Sequence, residues 1–320
     1  MSELNLHTRW ARDDDTPALL ELFARSFGEA MSPEQWAWKY RLAKSPGTVC
    51  LDGERIVAFN GGMPRHCHDG AARFNAVQMG DVMVDPAYRG ILNRRGPFYH
   101  AVQAFFGEAV GSEAHHAYRY AFGFPHARHA RLGRALALYC QPDAIRQASW
   151  PAAPRRAWRD TARPLTDADA ATTDALWGAM CEGLPHAVIG ERSAAWLEHR
   201  YATAPHCYYA RWLITARLTR RPVGICVLRH HGEHAELLDL IAPPGAMARV
   251  ISVARHITAR LGAGQLTAWL TPTVASALAP SRPTLEDTDV VVPGSCVNGS
   301  EQGMEPAGRW WLMGGDTDFR

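Results

Sequence analysis

The chain has 320 residues, 47% of them hydrophobic and 21% charged, and a net charge of +2. That balance is ordinary for a globular protein and too weak in charge to call for a nucleic-acid partner, while no run nears the roughly 18 apolar residues a membrane helix needs. The length suits two domains rather than one. Seven scattered cysteines without a C-x-x-C pair read as reduced thiols of a cytoplasmic protein. The polar start Met1-Ser2-Glu3 lacks the basic-then-apolar order of a secretory signal.

Residues 7–12 read as a first strand. Asp15 or Thr16 then caps a helix with Pro17 just inside it, and Leu19, Leu22, Phe23, Ser26 and Phe27 form its buried face. A second helix starts at Ser32-Pro33 and carries Trp36 and Tyr40 one turn apart. Strands over 48–51 and 55–59 bracket the hairpin turn Asp52-Gly53. His66-Cys67-His68-Asp69 suits a β-turn better than a tetrahedral site, because strand neighbours point to opposite faces; no metal is expected.

A strand over 74–84 ends in the β-branched, apolar run Val82-Met83-Val84. Asp85-Pro86-Ala87-Tyr88 stops it, since proline cannot donate to a sheet ladder. The arginine-bearing turns Arg89-Gly90 and Arg94-Arg95-Gly96 follow, and Pro97 stands where a first helical residue belongs. Phe98, Ala101, Val102, Phe105 and Phe106 then recur on one helical face. Free amides and partial positive charge at a helix N-terminus favour an anion, and guanidinium groups grip phosphate in a fork.

The order strand, Val82-Met83-Val84, Asp85-Pro86-Ala87-Tyr88-Arg89-Gly90, loop, helix resembles the acetyl-CoA-binding core of the GCN5-related N-acetyltransferase (GNAT) superfamily. That family's loop reads Arg/Gln-x-x-Gly-x-Gly/Ala; here Ile91-Leu92-Asn93-Arg94 lengthen it before Arg95-Gly96. The resemblance implies acetyl-CoA as the acyl donor. Arg89, Gly90, Arg94, Arg95 and Gly96 would hold its phosphates, and the main chain of Val82, Met83 and Val84 would pair with its pantetheine. It implies direct transfer to an amine of a small molecule or peptide; the charge and hydropathy above call for no nucleic-acid or membrane partner.

In that family a carboxylate on the strand before the loop serves as base. Asp81, the only acidic side chain in 74–84, is the counterpart, as base or amine-orienting group; a structural cap is the competing reading, and Gln78 is a second candidate for orienting the acceptor. The family's sulfur-protonating tyrosine, four residues before a glycine, corresponds to His129 ahead of Gly133. As an imidazolium near its usual pKa of about 6.5 it would protonate the leaving thiolate. Tyr118, Tyr120 and Tyr139 read as strand packing.

The downstream half echoes the first. Residues 118–124 and 135–139 are expected as strands, with a helix between them from near His126 to about Gly133. Residues 141–165 hold Pro142, Pro151, Pro154 and Pro164 with Arg155, Arg156 and Arg159 and read as a connection. Residues 193–201 carry Trp196 and end His199-Arg200-Tyr201, as 32–40 carry Trp36 and end Trp38-Lys39-Tyr40. Strands over 208–216, 223–229 and 236–241 precede a helix bearing Val250, Val253, Ile257 and Leu261. Between them Ala242-Pro243-Pro244-Gly245-Ala246 has no arginine and lacks two amide donors. Trp310-Trp311 read as a last strand.

The expected fold is therefore α/β (α+β), with two GNAT-like domains, each a mixed, mostly antiparallel twisted sheet flanked by helices. Residues 1–145 form the acetyl-CoA-binding domain, 146–165 a linker and 166–320 a degenerate second domain. A non-catalytic acyl-CoA sensor and a tRNA-dependent aminoacyl transferase are the alternatives; the latter calls for a strongly basic face, which a net charge of +2 disfavours.

Overall fold

In the computed structural model, which describes residues 4–70, 72–155, 158–205 and 207–320, strands and helices follow the expected order in the first half. They are β1 (Leu6–Trp10), α1 (Thr16–Phe27), α2 (Pro33–Tyr40), β2 (Gly47–Asp52) and β3 (Arg55–Asp69). Next come β4 (Ala72–Val84), α3 (Pro97–Ala109), β5 (Tyr120–Phe122), α4 (Ala127–Ala135) and β6 (Tyr139–Pro151). Residues 1–3 and Arg156, read above from sequence, lie outside the described residues.

The remainder holds β7 (Asp160–Pro164), α5 (Ala170–Gly183), β8 (Val188–Gly190), α6 (Ala194–Leu197), β9 (Ala210–Ala216) and β10 (Pro222–His231). It closes with β11 (His234–Ile241), α7 (Met247–Arg260), β12 (Gln265–Leu270), α8 (Pro272–Leu278), β13 (Thr284–Ser295), α9 (Ser300–Met304) and β14 (Trp310–Trp311). No helix among the described residues is long and apolar enough to cross a membrane.

Two compact units interleave along the chain. The first comprises residues 1–66, 74–142 and 290–307; the second comprises 67–73, 143–289 and 308–320. Residues 146–165, expected as a linker, instead finish β6 and form β7. Residues 146–151 pair antiparallel with β12, and β7 pairs with β9. Their prolines are tolerated because Pro151 and Pro164 end their strands, while Pro142 precedes the stretch that meets β12.

In the first unit the strand order is β1-β2-β3-β4-β5, with β1–β2–β3 antiparallel and β4–β5 parallel. Leu19, Leu22, Phe23 and Trp36 of α1 and α2 cluster with Phe59 of β3. Phe98, Val102, Phe105 and Phe106 of α3 cluster with Val77 of β4. Each large side chain so buried contributes about 1.5–3 kcal/mol of transfer free energy. Phe27, expected on the buried face, is 49% exposed because α1 ends there and its ring rests on Phe23. Likewise Leu261 lies beyond α7 and is exposed. His66-Cys67-His68-Asp69 forms the end of β3 rather than a turn. Residues 135–138, expected as a strand, end α4 and lead into β6.

The second unit repeats the element order with its own sheet, β13-β6-β12-β11-β10-β9-β7, in which β11–β12 is the parallel pair. The repetition reaches single residues. Arg9 forks onto Asp15 six positions later and also donates to the Trp10 carbonyl; Arg163 forks onto Asp169 and donates to the Pro164 carbonyl. Both carboxylates also accept a main-chain amide three residues back, from Arg12 and Thr166.

Candidate active site

β5 pairs with β4 only at Ala76, Val77 and Gln78. Past that point residues 79–84 run on, and among the described residues no further strand pairs on the β5 side. Such an edge offers N–H and C=O groups to any extended ligand carrying amides. Val82 and Val84 are half-buried there and Met83 is buried. Within β4, Asp81 has a left-handed φ of 47°, a conformation uncommon outside glycine, asparagine and aspartate.

The loop that follows is held from several sides. The buried Asp85 carboxylate accepts from the Ala87 amide at 3.1 Å, from Arg55 at 2.7 Å and from Arg25 at 3.2 Å. Burial works to raise its pKa, but the Ala87 amide and the two guanidinium groups outweigh it and hold the carboxyl below its usual range. Tyr88 donates to Asp52 at 2.8 Å. Arg89 donates to the Val84 carbonyl at 3.1 Å and the Ser26 carbonyl at 2.6 Å, so its guanidinium ties the loop to β4 and the end of α1.

Arg94 and Arg95 are exposed, and neither pairs with a carboxylate among the described residues. The Arg94 guanidinium lies 5.9 Å from the Tyr99 ring centroid. Gly96 is needed for packing, because a Cβ there would stand 2.1 Å from the Ile91 carbonyl oxygen. At Gly90 a Cβ would meet nothing within 4 Å, so no internal contact demands glycine there. α3 begins at Gly96 with no side-chain cap, which leaves its first amides facing the arginine-bearing loop.

On α2, Lys39 and Tyr40 reach Asp81: the Lys39 ammonium lies 2.6 Å from Oδ1, and the Tyr40 hydroxyl donates to Oδ2 at 2.7 Å. His129 stands at the start of α4, its Nε2 3.3 Å from the Tyr139 hydroxyl and its ring 5.3 Å from that of Phe98. Burial, helped by neighbouring His126, pushes the His129 pKa down to about 4. At neutral pH the imidazole is therefore uncharged, where the sequence reading has an imidazolium. Burial also pushes the Tyr139 pKa upward.

The corresponding slot of the second unit is different. β11 pairs with β12 only at residues 234–236, and the gap beyond is filled by the chain itself. Met313 bridges Leu270 of β12, and Gly315 lies so close to Leu238 of β11 that a Cβ would stand 2.8 Å from its carbonyl oxygen. Arg192, fully buried, donates to Asp239 at 2.8 Å and Asp316 at 2.6 Å.

Residues 7–129 match the family model "Acetyltransferase (GNAT) domain". This part of the chain is a GNAT domain. No curated protein sequence matches the chain. Solved structures show the fold over nearly its whole length. A GCN5-related N-acetyltransferase from Kribbella flavida is 18% identical, with a TM-score of 0.64 over 90% of this chain and 71% of that one. A GCN5-related N-acetyltransferase from Anabaena variabilis is 14% identical, with a TM-score of 0.67 over 92% and 73%. Saccharomyces cerevisiae N-myristoyltransferase with bound myristoyl-CoA and inhibitors is 8% identical, with a TM-score of 0.56 over 92% and 80%.

The GNAT domain thus contains groups that sequence reasoning passed over. Asp85 was read only as a strand stop, and Lys39 and Tyr40 only as the end of a repeated helix. The repeat itself was the available signal, since Arg200-Tyr201 occupies the same place in the second half. Tyr139 is a ring partner of His129 rather than a residue packed only within its strand.

Proposed function

We propose that the GNAT domain transfers an acyl group, acetyl in the simplest case, from acyl-CoA to an amine of a small molecule or peptide within one ternary complex. The observation that carries this reading is the uncapped start of α3 behind an arginine-bearing loop, immediately after the stretch of β4 that runs on past its pairing with β5. Loop amides with Gly90, Gly96, Arg94 and Arg95 would bind the diphosphate and 3′-phosphate, while Arg89 holds the loop in place. The main chain of Val82, Met83 and Val84 would pair with pantetheine, and one of its amides would polarise the thioester carbonyl. The amine nitrogen attacks that carbon, the C–S bond breaks, and the amine proton must leave as the thiolate gains one. Asp81, with both carboxylate oxygens engaged by Lys39 and Tyr40, is the proposed amine-orienting group, and the amine proton passes to solvent. His129, uncharged, would offer the departing sulfur a hydrogen bond rather than a cationic acid.

One site per chain is expected. The arginine-free loop of the second unit and its self-filled slot support reading that unit as a GNAT-like domain without a coenzyme site. The neutral His129 favours one alternative, an acyl-CoA sensor that binds without turnover. Calorimetry with acetyl-CoA on the full chain, followed by thiol release over a panel of amines, tests both. Binding with turnover supports the transferase, binding without turnover on any amine supports the sensor, and no binding overturns both.

A further inference from the structure

Lys39 is among the most buried charged groups of the first unit; its side chain is 4% exposed and that of Asp81 6%. A lysine at that depth keeps its charge only beside a counter-charge. Here the counter-charge sits on the one residue of β4 with a left-handed backbone. Tyr40 completes the arrangement through a notch in β3. A Cβ at Gly61 would stand 2.3 Å from the Tyr40 hydroxyl and 2.7 Å from the Gly80 carbonyl oxygen, so any side chain there would displace the phenol or the strand.

The second unit supplies an internal control. Tyr201 donates to Asp239 at 3.1 Å, so a tyrosine–aspartate brace is common to both units. Arg200, at the place of Lys39, donates instead to the Gly315 and Thr317 carbonyls. Asp239 is not among the residues with positive φ. The ammonium and the left-handed backbone therefore occur together in the unit whose β4 runs on past its pairing with β5, and both are missing where the slot is filled by the chain's own residues.

We infer that Lys39 and Tyr40 are positioning residues that lock the left-handed turn at Asp81 and thereby aim the main-chain amides of residues 82–84 at the acyl thioester. The inference rests on the acyl-CoA reading above and adds which side chains set that aim. The loop and α3, which hold the nucleotide end of the ligand, are anchored by contacts of their own, Asp85 to Arg55 and Arg89 to the Ser26 carbonyl, so that end depends less on the pair. Discrimination between the acetyl thioester and the free thiol depends on it.

Calorimetry on the full chain with acetyl-CoA and with CoA tests this. The unaltered protein is expected to prefer acetyl-CoA. Lys39→Met is expected to reduce that preference about tenfold, the weight of one well-aimed hydrogen bond, while affinity for CoA, which shares the pantetheine contacts but has no acyl carbonyl, falls by a smaller factor. Lys39→Arg is expected to restore part of the preference, and Asp81→Gly, which tolerates the turn without the brace, to retain it better than Asp81→Ala. Tyr40→Phe serves as the milder variant should Lys39→Met fail to fold. A preference unchanged in Lys39→Met and Tyr40→Phe, or CoA affinity falling in the same proportion, overturns the inference while leaving coenzyme binding intact. No binding of either ligand by the unaltered chain overturns the acyl-CoA reading itself and this inference with it.

Discussion

Arg163 forks onto Asp169 at 2.7 and 2.5 Å at the entry to α5, where Asp169 also accepts from the Thr166 amide at 3.0 Å. Arg9 and Asp15 reproduce the arrangement at the entry to α1. Hydrogen bonding from the arginine, against the opposing effect of burial, lowers the pKa of both carboxyls. A folded-state value below the unfolded one means stability present above about pH 4 and lost as pH falls further. The melting temperature is expected to drop steeply below pH 4, and Asp169→Ala to cost about 1–2 kcal/mol at pH 7 and to flatten that drop. A drop of unchanged steepness in the variant would contradict this.

Asp143 contributes with the opposite sign. Burial, only partly offset by the Ala144 and Gly308 amides, pushes its pKa up to about 6. An acid whose folded value lies above its unfolded one contributes stability below about pH 4 that is lost as pH rises toward 6. Asp143→Asn keeps an acceptor for both amides and removes the buried charge. It is expected to stabilise the chain on the order of 2 kcal/mol at pH 7 and to make no difference near pH 3. Urea titrations at the two pH values measure the contrast.

The Arg192–Asp239–Asp316 cluster sets one guanidinium against two buried carboxylates. Burial is the largest influence on Asp239 and raises its pKa; the nearby Arg192 works against it. Arg192→Met would leave both carboxyls buried without their cation. It is expected to destabilise by about 3–5 kcal/mol in chemical denaturation, whereas replacing all three by apolar residues of similar volume is expected to recover most of that loss.

Gly96→Ala places a methyl group where the Ile91 carbonyl stands. The loop must open to accommodate it, and acetyl-CoA affinity is expected to fall at least about tenfold. Arg94→Ala and Arg95→Ala, at exposed positions, are expected to weaken binding a fewfold each, with the loss shrinking as salt is raised. Salt-independent losses would place these arginines away from phosphate.

His129 is expected to titrate near pH 4 by imidazole NMR, far below a free histidine, because its half-buried ring is packed against Phe98 and Tyr139. The folded state then binds that proton less readily than the unfolded chain, so this residue's contribution to stability grows as pH rises from about 4 to 6.5 and is complete above it. A midpoint near 6.5 would return it to the role of a cationic acid.

Local pattern was enough to determine the elements around the site. Val82-Met83-Val84 followed by Pro86 made a strand and its stop, Pro97 started a helix, and the spacing of Phe98, Val102, Phe105 and Phe106 set its buried face, since each depends on residues within a few positions. The duplicated helix ends at Tyr40 and Tyr201 were likewise visible in sequence. What those tyrosines touch was decided by tertiary structure alone. Asp81 meets Lys39 and Tyr40 across about 40 positions, and Met313 reaches Leu270 across a similar distance. The charge state of His129 was decided in the same way, because desolvation depends on the atoms packed around a ring and not on its neighbours along the chain. Residues 141–165 show the converse: proline content read as a linker, but strand partners far along the chain made it part of a sheet.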